Sequence, residues 1–298
     1  MGDIDELHAL RKTFYVGAYQ QVINDATNPG AVPKSEAARL ERRVYLYRAY
    51  IAQSRFNMPM NEITPADSAE LRAVRLLALW LSQTSQSNRD AVVSDLAALI
   101  AGSQLTPLLA VIAASIYYNH ALYEDALKIL HPFSKNLEAV ALTTQTLLKM
   151  NRVDLAKKEV AAVKTWADDA TLAQMIEAWA NLFPAAEDKF HEAFYTFDEL
   201  ASSNTATAKL LTSKAVCKIH SAKFDEAEEL LTNALNWDNN NAEALINLII
   251  CANATGKPSE VASRYLNQLK DAAPSHIYLQ ELQLKEDMFD RAVQRFSV

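Results

Sequence analysis

Glycine is scarce: the chain has five in 298 residues, where average usage would give about 21. Strand-rich folds turn through glycine and proline, and nucleotide sites need glycine where backbone closes on phosphate, so both classes are disfavoured before any motif is sought. Basic charge is short as well. Lys and Arg number 29 against 36 Asp and Glu, for a net charge of −7 and a pI near 5.4. A nucleic-acid binder or a polybasic anchor needs the opposite surplus, so neither a nucleic-acid partner nor direct membrane insertion is expected.

Long apolar runs are also missing. The richest, Leu108 to Tyr118, has 11 residues including Ser115, against roughly 18–20 for a bilayer span. The opening MGDIDELHAL has no basic segment leading into an apolar one and does not read as a secretory signal; Glu6 stands where myristoylation of Gly2 would want Ser or Thr. Two cysteines, Cys217 and Cys251, fit a reducing compartment, and the cytosol is expected.

Motifs for chemistry are absent too. The histidines, at 8, 120, 131, 191, 220 and 276, are dispersed, and none has a metal-ligand spacing to another His or to Cys. ATGKPS (Ala254 to Ser259) contains Gly-Lys, but Cys251 replaces the leading glycine of a phosphate loop and Pro258 its Ser or Thr. The acidic cluster Asp225, Glu226, Glu228, Glu229 reads as the solvated face of a helix. Cys217 and Cys251 occupy the same place in two copies of a repeat and read as core. No catalytic residue, metal or cofactor is expected, and the chain is read as a non-enzyme.

What is present is apolar and periodic. Half of the residues are hydrophobic, and four segments, YQQV, YEDA, FHEA and FDEA, repeat an aromatic, two polar residues and a small apolar one. The last position recurs at Val22, Pro59, Val93, Ala126, Ala156, Ala193, Ala227 and Val261, a mean interval of about 34 residues, the tetratricopeptide period. Four residues on stand Ala26, Ile63, Ala97, Leu130, Val160, Phe197, Leu231 and Tyr265, all apolar or aromatic. Such columns describe helical hairpins in which the small residue lets the second helix approach the first, the aromatic fills their corner, and the i+4 residue packs on the next hairpin.

The expectation is an all-α, tetratricopeptide-like solenoid in one domain over residues 1–298. About eight repeats would cover residues 3–275, with a C-terminal capping helix near 277–296. Gly17, Asn151 and Gly256 fall at turns before second helices; Pro29, Pro132, Pro184 and Pro274 fall near helix ends.

In such a stack the first helices line the concave face. Counting back from the marker places there Ile4, Leu7, Arg11 and Phe14, then Glu41, Val44, Arg48 and Ile51, then Leu108, Val111, Ser115 and Tyr118, then Lys209, Thr212, Val216 and Ile219, and last Glu243, Ile246, Ile250 and Asn253. The lining is largely apolar, and Ile4, Leu7, Phe14, Val44, Ile51, Leu108, Val111, Tyr118, Val216, Ile219, Ile246 and Ile250, with Arg48, are the contacts proposed for a permanent partner. The other reading is that a tightly wound superhelix buries these residues against its own turns or its C-terminal helix. On the first reading, Val111→Asp or Ile246→Asp weakens binding and leaves helicity intact. A carboxylate clamp for charged C-terminal peptides is not expected, because Thr212, Val216, Ile246 and Ile250 are not the Lys and Asn it uses.

Particular strings say more than the generic repeat: FYVGAYQQVIN (Phe14 to Asn24), YLYRAYIAQ (Tyr45 to Gln53), DDATLAQMIEAW (Asp168 to Trp179), ALINLIICANATGKP (Ala244 to Pro258), SRYLNQLKDAAPSH (Ser263 to His276) and FDRAVQRF (Phe289 to Phe296), of which SRYLNQLK and DDATLAQ are not part of the repeat consensus. In this order, from Asp5 to Phe296, the chain resembles the epsilon subunit family of coatomer. The resemblance implies a non-catalytic subunit of the COPI vesicle coat, acting in Golgi-to-endoplasmic-reticulum retrieval and within the Golgi. It implies a cytoplasmic protein held on Golgi membranes and coated vesicles through the coat. It also implies binding to the C-terminal domain of the alpha subunit, with the other coatomer subunits met indirectly and the solenoid curling around a projecting segment of its partner. A generic scaffold or co-chaperone adaptor for short peptides is the alternative.

Overall fold

The computed structural model describes residues 5–183 and 186–296, so Gly2, Ile4 and Pro184 lie outside the described residues. Within them the chain forms 17 α-helices and two 3₁₀ turns, with no strand. Two compact units are distinguished, one of Met1–Thr196 and Ser203–Thr205, the other of Phe197–Ser202 and Ala206–Val298.

The first unit alternates first and second helices of six hairpins: α1 (His8–Val16) and α2 (Tyr19–Thr27), α3 (Glu36–Ala52) and α4 (Asn57–Glu62), α5 (Ala69–Ser82) and α6 (Gln86–Ala101). Then come α7 (Pro107–Asn119) and α8 (Tyr123–Leu130), α9 (Leu137–Lys149) and α10 (Val153–Ala167), and α11 (Thr171–Asn181) with α12 (Glu187–Ser203), whose residues are divided between the units. The second unit holds α13 (Ala208–His220), α14 (Phe224–Trp237), α15 (Ala242–Ala254), α16 (Ser259–Ala272) and α17 (Ile277–Phe296). Every marker residue falls on a second helix, and α17 has the bounds expected of the capping helix.

Packing follows the columns. Val22, Pro59, Ala126, Ala156, Ala193 and Ala227 are all buried, as closely packed helices require. The third repeat departs by one residue. Val92, Leu96 and Leu99 turn inward and Ala97 faces solvent, because the apolar i, i+4, i+7 row of α6 starts at 92. Asp90 stands where the aromatic would be. The aromatic at this corner comes from α5 instead: Arg89 stacks 4.5 Å from the Trp80 ring, Trp80 Nε1 donates to His120 Nδ1 at 3.3 Å, and His120 Nε2 lies 3.2 Å from Asp90.

The turn inside six of the eight hairpins explains how the fold manages with so little glycine. Gly17, Ser54, Ala121, Asn151, Ala222 and Gly256 all have left-handed φ, between 56° and 90°. The next amide donates back five residues, as in Ala18 to Thr13, Leu122 to Tyr117 and Lys223 to Lys218, closing a Schellman cap. Alanine or serine thus carries a conformation that costs a side chain about 1–2 kcal/mol. Ala222 is exposed. Ala222→Gly is therefore expected to raise stability by about 0.5–1 kcal/mol after the entropy of the freer unfolded chain is subtracted. A lower urea midpoint would show that the cap is not strained.

In the second unit, Ala215, Ala227, Leu231, Ala234, Leu248 and Cys251 form one core, and Leu245, Ile246, Ile249 and Leu269 form the next. Cys217 and Cys251 are buried free thiols. Burial pushes Cys217 up to about 12 and Cys251 to about 11, so both stay protonated at neutral pH.

Candidate functional site

The first helices of the first unit do not leave an open apolar trough. Helix α1 touches α11, and Tyr15 packs with Ala141 of α9 and with Leu172 and Ile176 of α11. Arg48 of α3 reaches Glu138 of α9, Nη1 to Oε2, at 3.1 Å. Its guanidinium lies 4.7 Å from the Phe14 ring and 5.1 Å from the Tyr45 ring, and the Tyr15 and Tyr45 hydroxyls meet at 3.1 Å. Burial opposes the Arg48 charge, but the Glu138 carboxylate carries the Arg48 pKa above the ordinary value, so the guanidinium keeps its charge. The concave centre is filled by the chain's own side chains.

The sequence-derived contact set therefore divides. Leu7, Val44, Ile51, Val111 and Ile246 are buried in helix-to-helix cores and unavailable to a partner while the fold is intact. The reason is geometric: a helix in a hairpin stack packs on its own second helix as well as on the next repeat, so its apolar arc is wider than a single lining stripe. Phe14 and Arg48 are engaged with each other, while Leu108, Tyr118, Val216 and Ile219 are partly exposed and Ile250 is 39% exposed. Ile4 lies outside the described residues.

Beside this plug is a cavity of about 730 Å³. All six first helices of the first unit contribute to it, mostly through their N-terminal ends. Thr106 and Asn136 cap α7 and α9 there, accepting from the amides of Leu109 and Ala139. Thr106 also donates to Glu70 at 2.8 Å. Arg11 holds Glu41 with two bonds of 2.6 and 2.9 Å and Asp5 with a third. Apolar surface comes from Leu40, Leu108, Leu137, Leu172 and Trp166, whose ring lies 5.4 Å from the Lys135 ammonium.

Of the proposed contact residues Leu108 lines the cavity, together with Arg11 and Glu41, which the same count places on the concave face. Glu138 and Leu172 escaped sequence reasoning because the repeat places first helices on the concave face without saying where the winding brings their N-terminal ends together, and Trp166 because it stands at the end of α10, a second helix. The mixed lining suits a protein segment that offers backbone polar groups and one or two apolar side chains. Among the described residues no group of three His, Cys, Asp or Glu could hold a metal. No described helix is long and apolar enough to cross a membrane.

Burial raises the phenols of Tyr15 and Tyr45 above their ordinary value. A raised folded-state value gives stability that is complete below pH about 10 and declines above it, as the unfolded chain ionises first. Phenolate absorbance on alkaline titration is expected to show these two tyrosines ionising only with loss of helicity; their ionisation in the folded protein would contradict the packing.

The family model for the coatomer epsilon subunit matches residues 3–297. Among curated proteins, coatomer subunit epsilon-1 of Arabidopsis thaliana is 36% identical over 100% of this chain and 99% of its own length. Coatomer subunit epsilon of Dictyostelium discoideum is 32% identical over 98% and 99%. Among solved structures, a tetratricopeptide repeat protein from Parabacteroides merdae superposes with a TM-score of 0.58 at 14% identity, over 89% of this chain and 97% of that one. A chain of the APC/C hetero-tetramer Cut9-Hcn1 gives 0.59 at 10% identity, over 96% of this chain and 57% of that one. At those identities the structural likeness concerns the fold.

Proposed function

The chain belongs to the coatomer epsilon subunit family and is a structural subunit of the coatomer (COPI) coat, and from that premise we propose that it binds and stabilises the alpha subunit by way of the partner's C-terminal domain. The observation that carries the reading is the cavity of the first unit, where capped N-terminal ends, ion pairs and an apolar rim stand next to a filled centre. A projecting segment of the alpha subunit would enter there, its backbone meeting the polar wall and its apolar side chains meeting Leu108, Leu137 and Trp166. The contribution is binding and not bond chemistry: the two cysteines are protonated, and the ion pairs hold helices together. Membrane contact then comes through the other subunits, which fits a net charge of −7. Work in Golgi-to-endoplasmic-reticulum and intra-Golgi transport, on Golgi membranes and coated vesicles, belongs to the same proposal.

Co-expression with the C-terminal domain of the alpha subunit should give one co-eluting complex by size exclusion. Separate elution at micromolar concentration would overturn the proposal, and preference for a short linear motif on a peptide array over the folded domain would favour a transient adaptor.

A further inference from the structure

Among the carboxylates that line the cavity of the first unit, Glu70 alone is nine-tenths buried, at 9% exposed. Most of the others have cations of their own chain. Asp5 and Glu41 share Arg11, Glu138 takes Arg48, and Asp169 is exposed to solvent. Glu70 has no ion pair among the described residues. Its one hydrogen bond comes from the Thr106 hydroxyl, 2.8 Å from Oε1, which leaves Oε2 without a donor among the described residues.

The fold alone does not account for this carboxylate. Glu70 is the second residue of α5, and a helix N-terminus favours an acidic side chain. That explains a carboxylate on a surface and not a buried one, because a helix-end charge is worth less than an ion loses on leaving water. The cations of the cavity wall do not supply a partner either. Arg11 is held by Asp5 and Glu41, Lys135 lies over the Trp166 ring, and Lys12 makes no ion pair among the described residues. Thr106 meanwhile holds the group in place: its hydroxyl donates to Glu70 and accepts from the Leu109 amide, so the acceptor of α5 is tied to the capped start of α7.

A buried carboxylate with an open lone pair is completed by a donor that carries positive charge. We propose that Glu70 is the recognition point for a lysine or arginine side chain on the segment of the alpha subunit's C-terminal domain that enters the cavity. The incoming cation pairs with Oε2 while Thr106 keeps Oε1. This rests on the function proposed above and adds the chemistry of the segment, a basic side chain next to the apolar ones. An acidic or wholly apolar segment in the same place would leave Glu70 buried without a counter-charge, so the group also discriminates among partners.

The test titrates the full chain with the C-terminal domain of the alpha subunit by calorimetry, comparing the wild type with Glu70→Gln, which keeps an acceptor for Thr106 and removes the charge. The variant is expected to bind at least about thirtyfold more weakly. Its melting temperature in the free state should equal or exceed that of the wild type, because a buried charge without a partner is gone. Equal affinity would overturn this inference and leave the alpha-subunit reading standing, and no binding by the wild type would overturn both. A melting temperature that falls together with the affinity would make Glu70 a structural group and also overturn it. A second measurement does not depend on how the variant folds: each Lys and Arg of the partner domain is replaced by Gln and titrated against the wild-type chain. One position should lose about as much affinity as Glu70→Gln does, and almost nothing more when the two changes are combined. The absence of any such position would overturn the pairing.

Discussion

Glu138→Ala is expected to lower the stability of the first unit by about 3 kcal/mol, the low end for breaking a buried ion pair. The Arg48 and Glu138 side chains are only 16% and 13% exposed. Deleting the carboxylate strands a guanidinium between the Phe14 and Tyr45 rings with its charge partner gone. The cost lies in that stranded charge more than in the lost attraction, and a double variant shows the difference. Arg48→Met with Glu138→Leu removes both charges and keeps apolar volume, so it should recover most of the loss. Urea unfolding of the three proteins measures it. A single variant as stable as the wild type would mean that the centre of the unit is hydrated and open, contrary to the packing of Tyr15 on α9 and α11.

Val111→Asp should be more damaging, by more than about 4 kcal/mol, because it places an unpaired carboxylate among Ala114, Ala126, Leu130 and Ala139. Ile246→Asp should act in the same way on the second unit, where Leu245, Ile249 and Leu269 surround it. Both are expected to lose helical signal or cooperative unfolding near room temperature. The repeat columns alone suggest the opposite, that these positions face a partner and tolerate charge with helicity intact. Retained helicity and an unchanged melting curve would return both residues to the partner-facing surface.

The contrast shows what a repeat can and cannot disclose. A period near 34 is a property of local sequence. It located all eight second helices, the turns at Gly17, Asn151 and Gly256, and the span of α17. It misplaced the third repeat by one residue because Asp90 interrupts the aromatic column, and Trp80, which takes over that corner, lies ten residues earlier on another helix. Nor does the period encode how far each hairpin rotates against the next. That rotation brings Arg48 to a residue 90 positions away, turns the supposed lining into a plug, and gathers Trp166, Lys135 and Leu108 around one cavity. The glycine shortage was legible as a mark of hairpins, yet the left-handed alanines at 121 and 222 were not, since alanine carries no turn signal.

Whether the cavity holds the partner is tested most directly by the affinity of the full chain for the C-terminal domain of the alpha subunit, compared with that of a Leu108→Asp, Trp166→Ala variant. Both side chains stand at the cavity and neither is buried, so the fold should survive and its melting temperature stay within a few degrees. Tight binding by the wild type and at least about a tenfold weaker complex for the variant are expected. Equal affinities would contradict the proposed function, because the cavity would then hold no part of the partner.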